Sequence, residues 1–334
     1  MVTRTLGATN IPISPVGLGC MGLSHAFGTP LEKNEAADKI RQAYEMGYTF
    51  FDTAECYTGT NPDGTTAYNE EAVGIGIKDF RHNITLATKC GVSFSGNQML
   101  LDSSPETIRR SVEGSLKRLQ TDYIDLYYQH RLDPKVEPET VAETMAQLIK
   151  EGKIRSWGIS CVTEDYLRRA HAVCPVSAVQ NVYSVIDRET ENLFSAFEEL
   201  GITLVAFTPL AKGFLSGRYQ ERPSFEHPED NRSGRFQFSE EGFSYYQQAL
   251  NLIRTVAEKK QATMAQICLA WMIHKKPWIV PIPGTRSPER MKENLMAAEV
   301  VLSQEEIFEI DHALNQMNLA DAASRRLSKP KMVP

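Results

Sequence analysis

Eight short apolar runs alternate with amphipathic stretches along almost the whole chain, and this alternation restricts the fold more than any other feature. The runs are Val16–Gly19, Thr49–Thr53, Ile84–Thr88, Tyr123–Tyr128, Ile154–Ile159, Ala178–Gln180, Ile202–Phe207 and Trp278–Ile282. They are continuous more than alternating in hydrophobicity, as strands of a parallel sheet covered on both faces should be. Between them, Pro105–Leu119 puts Ile108, Val112, Leu116 and Leu119 on one helical face, and Pro138–Lys150 does the same with Val141, Met145 and Leu148. Ser104 followed by Pro105 is a helix start. Gly47, Gly152 and Gly201 each stand just before a strand, where a left-handed cap ends a helix. Eight strand–helix units predict an α/β fold of the closed (β/α)8 TIM-barrel type, not an open sheet.

A barrel needs roughly 250 residues, and the chain has 334. The whole of 1–334 therefore reads as one domain with additions. Met1–Pro15 reads as an N-terminal hairpin or plug turning at Gly7. Thr208–Glu240, a lid loop after the seventh strand, is rich in Gly, Pro and charge and has no helical period; loops this long are usually functional. Ser303–Asn315 reads as an extra C-terminal helix, and about 320–334 as a mobile polar tail.

Hydrophobic residues at 42% and charged residues at 23% supply a sizeable core. A net charge of −6 without a basic cluster argues against nucleic acid and acidic membranes as partners. No apolar stretch approaches the roughly 20 residues of a membrane span, and the first residues lack a signal-peptide core. Cysteines 20, 56, 90, 161, 174 and 268 show no metal-ligand spacing. We expect reduced thiols, no metal and a cytoplasmic location.

Gly17-Leu18-Gly19-Cys20-Met21-Gly22 matches the GxGxxG dinucleotide fingerprint. That motif has meaning only between a strand and the helix whose N-terminus receives a pyrophosphate. Here Pro12 and Pro15 precede it, and the next helix begins about ten residues later, near Lys33. The Rossmann reading is therefore set aside.

Catalytic groups of a barrel come from the C-terminal ends of its strands. The second strand ends in Asp52 with Tyr57 shortly after, the third in Lys89, and His130 follows the fourth. Each alone has an ordinary explanation as a cap, a packing ring or a solvated rim charge. Converging on one rim, they suit carbonyl reduction. Hydride attack leaves an alkoxide that needs a proton. Tyr57 would supply it, with the Lys89 ammonium lowering its pKa from about 10. Asp52 would hold Lys89, and His130 would donate to the carbonyl oxygen.

Further segments complete a pattern. They are Phe51-Asp52-Thr53-Ala54 with Tyr57, Ala87-Thr88-Lys89, Asp125 to Arg131, Gly152 to Arg155 leading to Gly158-Ile159-Ser160, Gln180, Pro209 to Leu215, and Ile282-Pro283-Gly284-Thr285 with Glu293-Asn294. With Gly17–Gly22 they run in order from about residue 1 to 318, and the sequence resembles an aldo-keto reductase of the bacterial and plant-like branch.

The resemblance implies a family tetrad of Asp52, Tyr57, Lys89 and His130, and NADPH/NADP+ as cofactor. Ser160 and Gln180 would bind the nicotinamide carboxamide, and Phe207 would stack on its ring. Thr208, Pro209, Leu210, Lys212, Gly213 and Leu215 would follow the pyrophosphate. Gly284 and Thr285 would lead to the adenosine end, with Glu293 and Asn294 at the adenine. Arg286 and Arg290, flanking a helix start, would hold a 2′-phosphate and favour NADPH over NADH.

The sequence departs from the family pattern at several points. Thr58–Tyr68 lengthens the rim after Tyr57. Cys161 stands where asparagine is usual, Val182 where an acid is common, Phe207 for the more frequent tyrosine, and Gly284 where relatives carry lysine. Cys20, Cys56, Cys90 and Cys161 all follow strand ends near the mouth, either as small fillers or as a thiol-sensitive rim. The alternatives are an NADPH-binding barrel acting as a regulatory subunit, which would not need Tyr57 and Lys89, and a Schiff-base lyase on Lys89, which Asp52 would oppose by keeping the amine charged. Phe27, Tyr57, Phe94 and Leu132 point to a small-molecule carbonyl substrate with an apolar part.

Overall fold

The computed structural model describes residues 3–96, 98–221, 223–225, 227, 230–317 and 319. Eight parallel strands form one sheet, each beside its sequence neighbour: β1 (Leu18–Gly19), β2 (Phe50–Asp52), β3 (Thr85–Cys90), β4 (Ile124–Gln129), β5 (Ile154–Ser160), β6 (Ala178–Val182), β7 (Thr203–Phe207) and β8 (Ile279–Pro281). The first and last strands meet, because Gly17 N–H donates to Pro281 O at 3.0 Å and Gly19 N–H to Pro283 O at 3.3 Å. The sheet thus curls into the (β/α)8 barrel.

That closure explains the glycine motif. A Cβ on Gly17 would lie 2.6 Å from the Phe50 ring, and one on Gly19 would lie 2.8 Å from the Ile282 carbonyl oxygen. These glycines let two strands approach, and they open no pyrophosphate turn. The helix that follows, α1 (Lys33–Met46), starts well past them, as expected.

Side chains alternate along each strand between two buried environments. Phe50, Ala87, Leu126, Tyr128, Val205 and Val280 fill the barrel interior. Phe51, Leu86, Tyr127, Trp157, Leu204 and Ile279 face the helix layer. Both faces are dry, so the strands read as continuous apolar runs.

The expected hairpin is present, Arg4–Thr5 pairing antiparallel with Pro12–Ile13. Its Leu6, Ile11 and Ile13 join the interior cluster. Gly7 N–H donates to Thr203 Oγ1 and Thr85 Oγ1 donates to Pro12 O. The hairpin therefore plugs the end where strands begin, leaving the opposite rim for the site.

The outer helices continue with α2 (Asn69–Ile77), α3 (Pro105–Leu119), α4 (Pro138–Lys150), α5 (Glu164–Val173) and α6 (Phe194–Leu200). Ser104 caps α3 through the Thr107 amide. Gly47 and Gly201 end α1 and α6 with φ of +111° and +64°, and Gly152 takes +74° after α4. Among its described residues the lid segment holds only 3-10 turns, at Ala211–Ser216 and Phe236–Phe238, before α7 (Glu240–Tyr245). Then come α8 (Gln247–Lys260), α9 (Met264–Lys275) and α10 (Pro288–Met296). The extra C-terminal helix is α11 (Gln304–Gln316), pinned to α9 where Trp271 Nε1 and Lys275 Nζ donate to Asp311 at 2.9 and 2.8 Å. The expected tail at 320–334 lies outside the described residues.

Two small hairpins rise from the rim. Thr58–Thr60 pairs with Thr66–Tyr68, which accounts for the extension after Tyr57, and Val92–Ser95 pairs with Gln98–Leu101 after β3. The second was not anticipated. No helix among the described residues is long and apolar enough to cross a membrane.

Candidate active site

The rim at the C-terminal strand ends surrounds an open groove of about 2150 Å³. Asp52, the last residue of β2, is followed by a turn in which Tyr57 N–H donates to Ala54 O at 3.1 Å. Buried Asn69, at the start of α2, holds that turn: its N–H donates to Tyr57 O, and Thr53 Oγ1 donates to its Oδ1. Its Nδ2 reaches Cys20 O and Ser24 Oγ on the loop after β1.

Lys89, one residue from the end of β3, is fully buried. Its ammonium has three protons and three acceptors: Asp52 Oδ1 at 2.6 Å, Thr53 O at 2.6 Å and the Tyr57 hydroxyl at 3.3 Å. Burial works against its charge, but the charges and hydrogen bonds of Asp52 and Tyr57 outweigh it, and its pKa lies above the ordinary lysine value. Burial likewise raises the Asp52 carboxyl, partly offset by Lys89 and by Gln180, whose Nε2 donates to Asp52 Oδ2 at 2.8 Å.

Tyr57 departs from expectation. The ammonium does pull its pKa down, but burial is the larger influence and the phenol is pushed up to about 12. At neutral pH it therefore keeps its proton, the state a proton donor needs.

His130 follows β4 and is fixed by its own N–H, which donates to Cys90 O at 2.9 Å. Its ring stands edge-on to Tyr57, centroids 5.7 Å apart. Burial, then the charges of Lys89 and Arg131, hold its pKa well below the usual range, so the imidazole is neutral. Cys56 Sγ lies 3.4 Å from its Nδ1. On the other side His25 stacks on Tyr57 at 5.7 Å. No motif surrounds His25 in the sequence; only its place in the loop after the first strand put it near the rim.

The expected tetrad is thus brought together, with Lys89 behind Tyr57 and away from the groove wall. Ser160, Gln180 and Phe207, from β5, β6 and β7, line the groove. Ser160 Oγ accepts from Arg131 Nη1 at 3.1 Å. Gln180 is engaged with Asp52 through its amide nitrogen. Thr208, Pro209, Leu210, Lys212 and Gly213 line the next stretch, whereas Leu215 is fully buried beneath it. Gly284, Thr285, Arg286, Arg290, Glu293 and Asn294 line the far end.

The backbone along this groove is strained. Cys161, Thr208, Ala211 and Lys212 all take φ between +47° and +62° without being glycine. Such outliers concentrate at functional sites, where surrounding packing holds them.

The groove is also cationic. The Lys212 ammonium, bonded to Asn231 Oδ1 at 2.8 Å, is driven down to about 7 by burial and by neighbouring Arg235 and Arg232. Arg286 is anchored by Nε to Gly22 O at 2.6 Å and by Nη1 to Thr29 O at 2.9 Å. Its Nη2 is buried with no partner among the described residues. A lysine crowded by arginines and a guanidinium with one orphaned donor fit an anionic ligand of several phosphates. Asn231 and Arg232 were missed by the sequence reading, although the charge-rich lid was their signal.

A family model described as "Aldo/keto reductase family" matches residues 15–315. A probable aldo-keto reductase 1 of Glycine max is 37% identical over 92% of this chain and 88% of its own length. Aldo-keto reductase str7 of Strobilurus tenacellus is 34% identical over 99% of this chain and 93% of its own. Among solved structures, a glycerol dehydrogenase of Gluconobacter oxydans superposes with a TM-score of 0.82 at 25% identity, covering 98% and 97% of the two chains. An aldo/keto reductase of Klebsiella pneumoniae in complex with NADP and acetate gives 0.68 at 27% identity, covering 93% and 94%.

Proposed function

The chain belongs to the aldo/keto reductase family, and on that premise we propose that it reduces aldehydes and ketones to alcohols with NADPH, Tyr57 giving the proton. The observation that carries this reading is the buried ammonium of Lys89, tied to Asp52 and to the hydroxyl of a protonated Tyr57 at the groove wall.

NADPH, when bound, supplies the hydride. The residues do the rest. Tyr57 donates its proton to the oxygen that gains charge, and Lys89 stabilises the phenolate left behind. Asp52 keeps Lys89 charged and in place. His130, neutral, donates a hydrogen bond to the same oxygen without giving up its proton. Tyr57 regains a proton from solvent after the alcohol leaves. Lys212 and Arg286 would hold phosphates, with Arg290 at the entrance, and Ser160, Gln180 and Phe207 would orient the nicotinamide. The NADP bound to the Klebsiella pneumoniae protein supports that choice of cofactor.

The test is consumption of NADPH by the purified chain with a reactive aromatic aldehyde, beside NADH under the same conditions. Turnover with NADPH preferred is expected, and Arg286→Ala should erode the preference. Tight NADPH binding without turnover would instead favour the regulatory-subunit alternative.

A further inference from the structure

We infer that Cys56 is a positioning residue for this reduction: its thiol hydrogen, directed at Nδ1 of His130, selects the imidazole tautomer whose proton sits on Nε2, the nitrogen left to donate to a substrate oxygen. The inference rests on the reductase reading of the site and adds a residue to it.

A neutral imidazole carries one N–H, and the partner of one nitrogen decides which nitrogen holds it. Cys56 Sγ lies 3.4 Å from Nδ1, within reach of a sulfur hydrogen bond, and this is the only hydrogen bond of the ring among the described residues. Both residues are buried and both reach the groove wall.

Direction follows from what Nε2 must do. Burial pushes the Cys56 thiol up to about 12, so it keeps its hydrogen, while burial and the Lys89 charge keep His130 neutral. With both groups neutral, either the thiol donates to the Nδ1 lone pair, leaving Nε2–H for a substrate oxygen, or the bond runs the other way. The reverse arrangement, Nδ1–H toward sulfur, would turn the Nε2 lone pair toward a carbonyl oxygen, two acceptors with no proton between them.

Backbone geometry makes the contact a fixed one. Cys56 precedes Tyr57 in the turn closed by the Tyr57 N–H to Ala54 O bond, and Asn69 N–H holds Tyr57 O. His130 is held by Cys90 O on β3. One turn therefore places the proton donor and sets the tautomer of its neighbour. This gives Cys56 a use beyond that of a small filler.

The test is nitrogen-15 NMR of histidine-labelled full-length protein at neutral pH, with His130 assigned by loss of its signals in His130→Gln. The Nε2–H tautomer is expected in the wild type, with Nδ1–H gaining in Cys56→Val. A wild-type Nδ1–H tautomer would overturn the inference.

Kinetics supply the second arm. Cys56→Val should lower kcat by roughly five- to tenfold, the size of one net hydrogen bond, with NADPH affinity unchanged. Cys56→Ser, which keeps a donor, should recover most of it. A valine variant at wild-type kcat, or a serine variant as slow as the valine one with NADPH binding intact, would also overturn it. The tautomer measurement needs no turnover, so it stands apart from the reductase reading, which fails if the wild type consumes no NADPH with a reactive aromatic aldehyde.

Discussion

At the level of single residues, the proposed chemistry turns on the ammonium of Lys89, each of whose protons has an acceptor inside the rim. Lys89→Met should lower kcat by ~10²–10³, as loss of a pre-placed charge partner does, while fluorescence titration shows NADPH binding retained. The raised Tyr57 has a sign that can be checked. A donor must be protonated, so kcat/KM for reduction should hold through the range where an ordinary phenol, at about 10, would already be ionising, and fall only as pH nears about 12. Lys212 offers the opposite case. Near pH 7 about half of it is neutral in the free protein, given its value of about 7. An anion beside it favours the charged form, so NADPH binding should take up protons at pH 7, and affinity should weaken as pH rises. Calorimetry in buffers of different ionisation heat reads that uptake; binding with no proton exchange would remove Lys212 from the phosphate site. The sequence disclosed the four rim residues because strand ends are legible from an apolar run meeting a polar residue. It did not disclose the upward shift of Tyr57, since an ammonium nearby can be read from spacing and burial cannot. Cys56 against His130, and His25 against Tyr57, are contacts between separate loops, which no local pattern encodes.

At the level of elements, the strands and helix caps were readable because each reports on its own neighbourhood: Ser104 with Pro105, and Gly47 at a left-handed cap, need no tertiary partner. The rim hairpins were not, because Val92–Ser95 and Gln98–Leu101 are short and expose Phe94, Met99 and Leu100, with only Val92 and Leu101 packed inward, too few to impose a pattern. The GxGxxG match is the converse, a local pattern whose cause is long-range. Gly19 is required by the carbonyl of Ile282, distant in sequence but beside it where the sheet closes. Below the site, β4 begins on a buried charge cluster. Asp125 accepts from the Leu86 amide at 3.0 Å and pairs with Arg81 and Arg155 at 2.8 Å each. Arg81 is itself buried and also donates to Tyr123 O at 2.7 Å. Asp125→Ala strands that guanidinium, and we expect a loss of ~3–5 kcal/mol in chemical denaturation, with kcat of the folded fraction little changed. A loss below about 1 kcal/mol, the range of a surface pair, would show that the cluster is not a structural tie.

For the whole molecule, the division of labour runs along the barrel axis. The hairpin at Arg4–Thr5 and Pro12–Ile13 seals the end where strands begin, and the reactive groups occupy the other. Ile13 is fully buried in the interior cluster. Ile13→Ala should therefore cost ~2–5 kcal/mol of stability while KM and kcat of the folded protein stay near wild type; a changed KM at retained stability would mean that the plug and the groove are coupled. The barrel was legible as a whole because eight units repeat, whereas the strained backbone of the groove's 208–213 segment, whose residues the family pattern did single out, depends on how the lid packs back. Under the proposed function, barrel, plug and groove together serve one event, in which a protonated Tyr57 backed by Lys89 delivers the proton while NADPH delivers the hydride. NADPH oxidation with a reactive aromatic aldehyde, by wild type and Tyr57→Phe side by side and with NADPH affinity determined on both, bears on that event without an intermediate step. Turnover by the wild type is expected, with a loss of at least ~10² in the variant, the contribution of a positioned general acid, at unchanged affinity. A variant that turns over within a few-fold of wild type would contradict the assignment of Tyr57 as the proton donor.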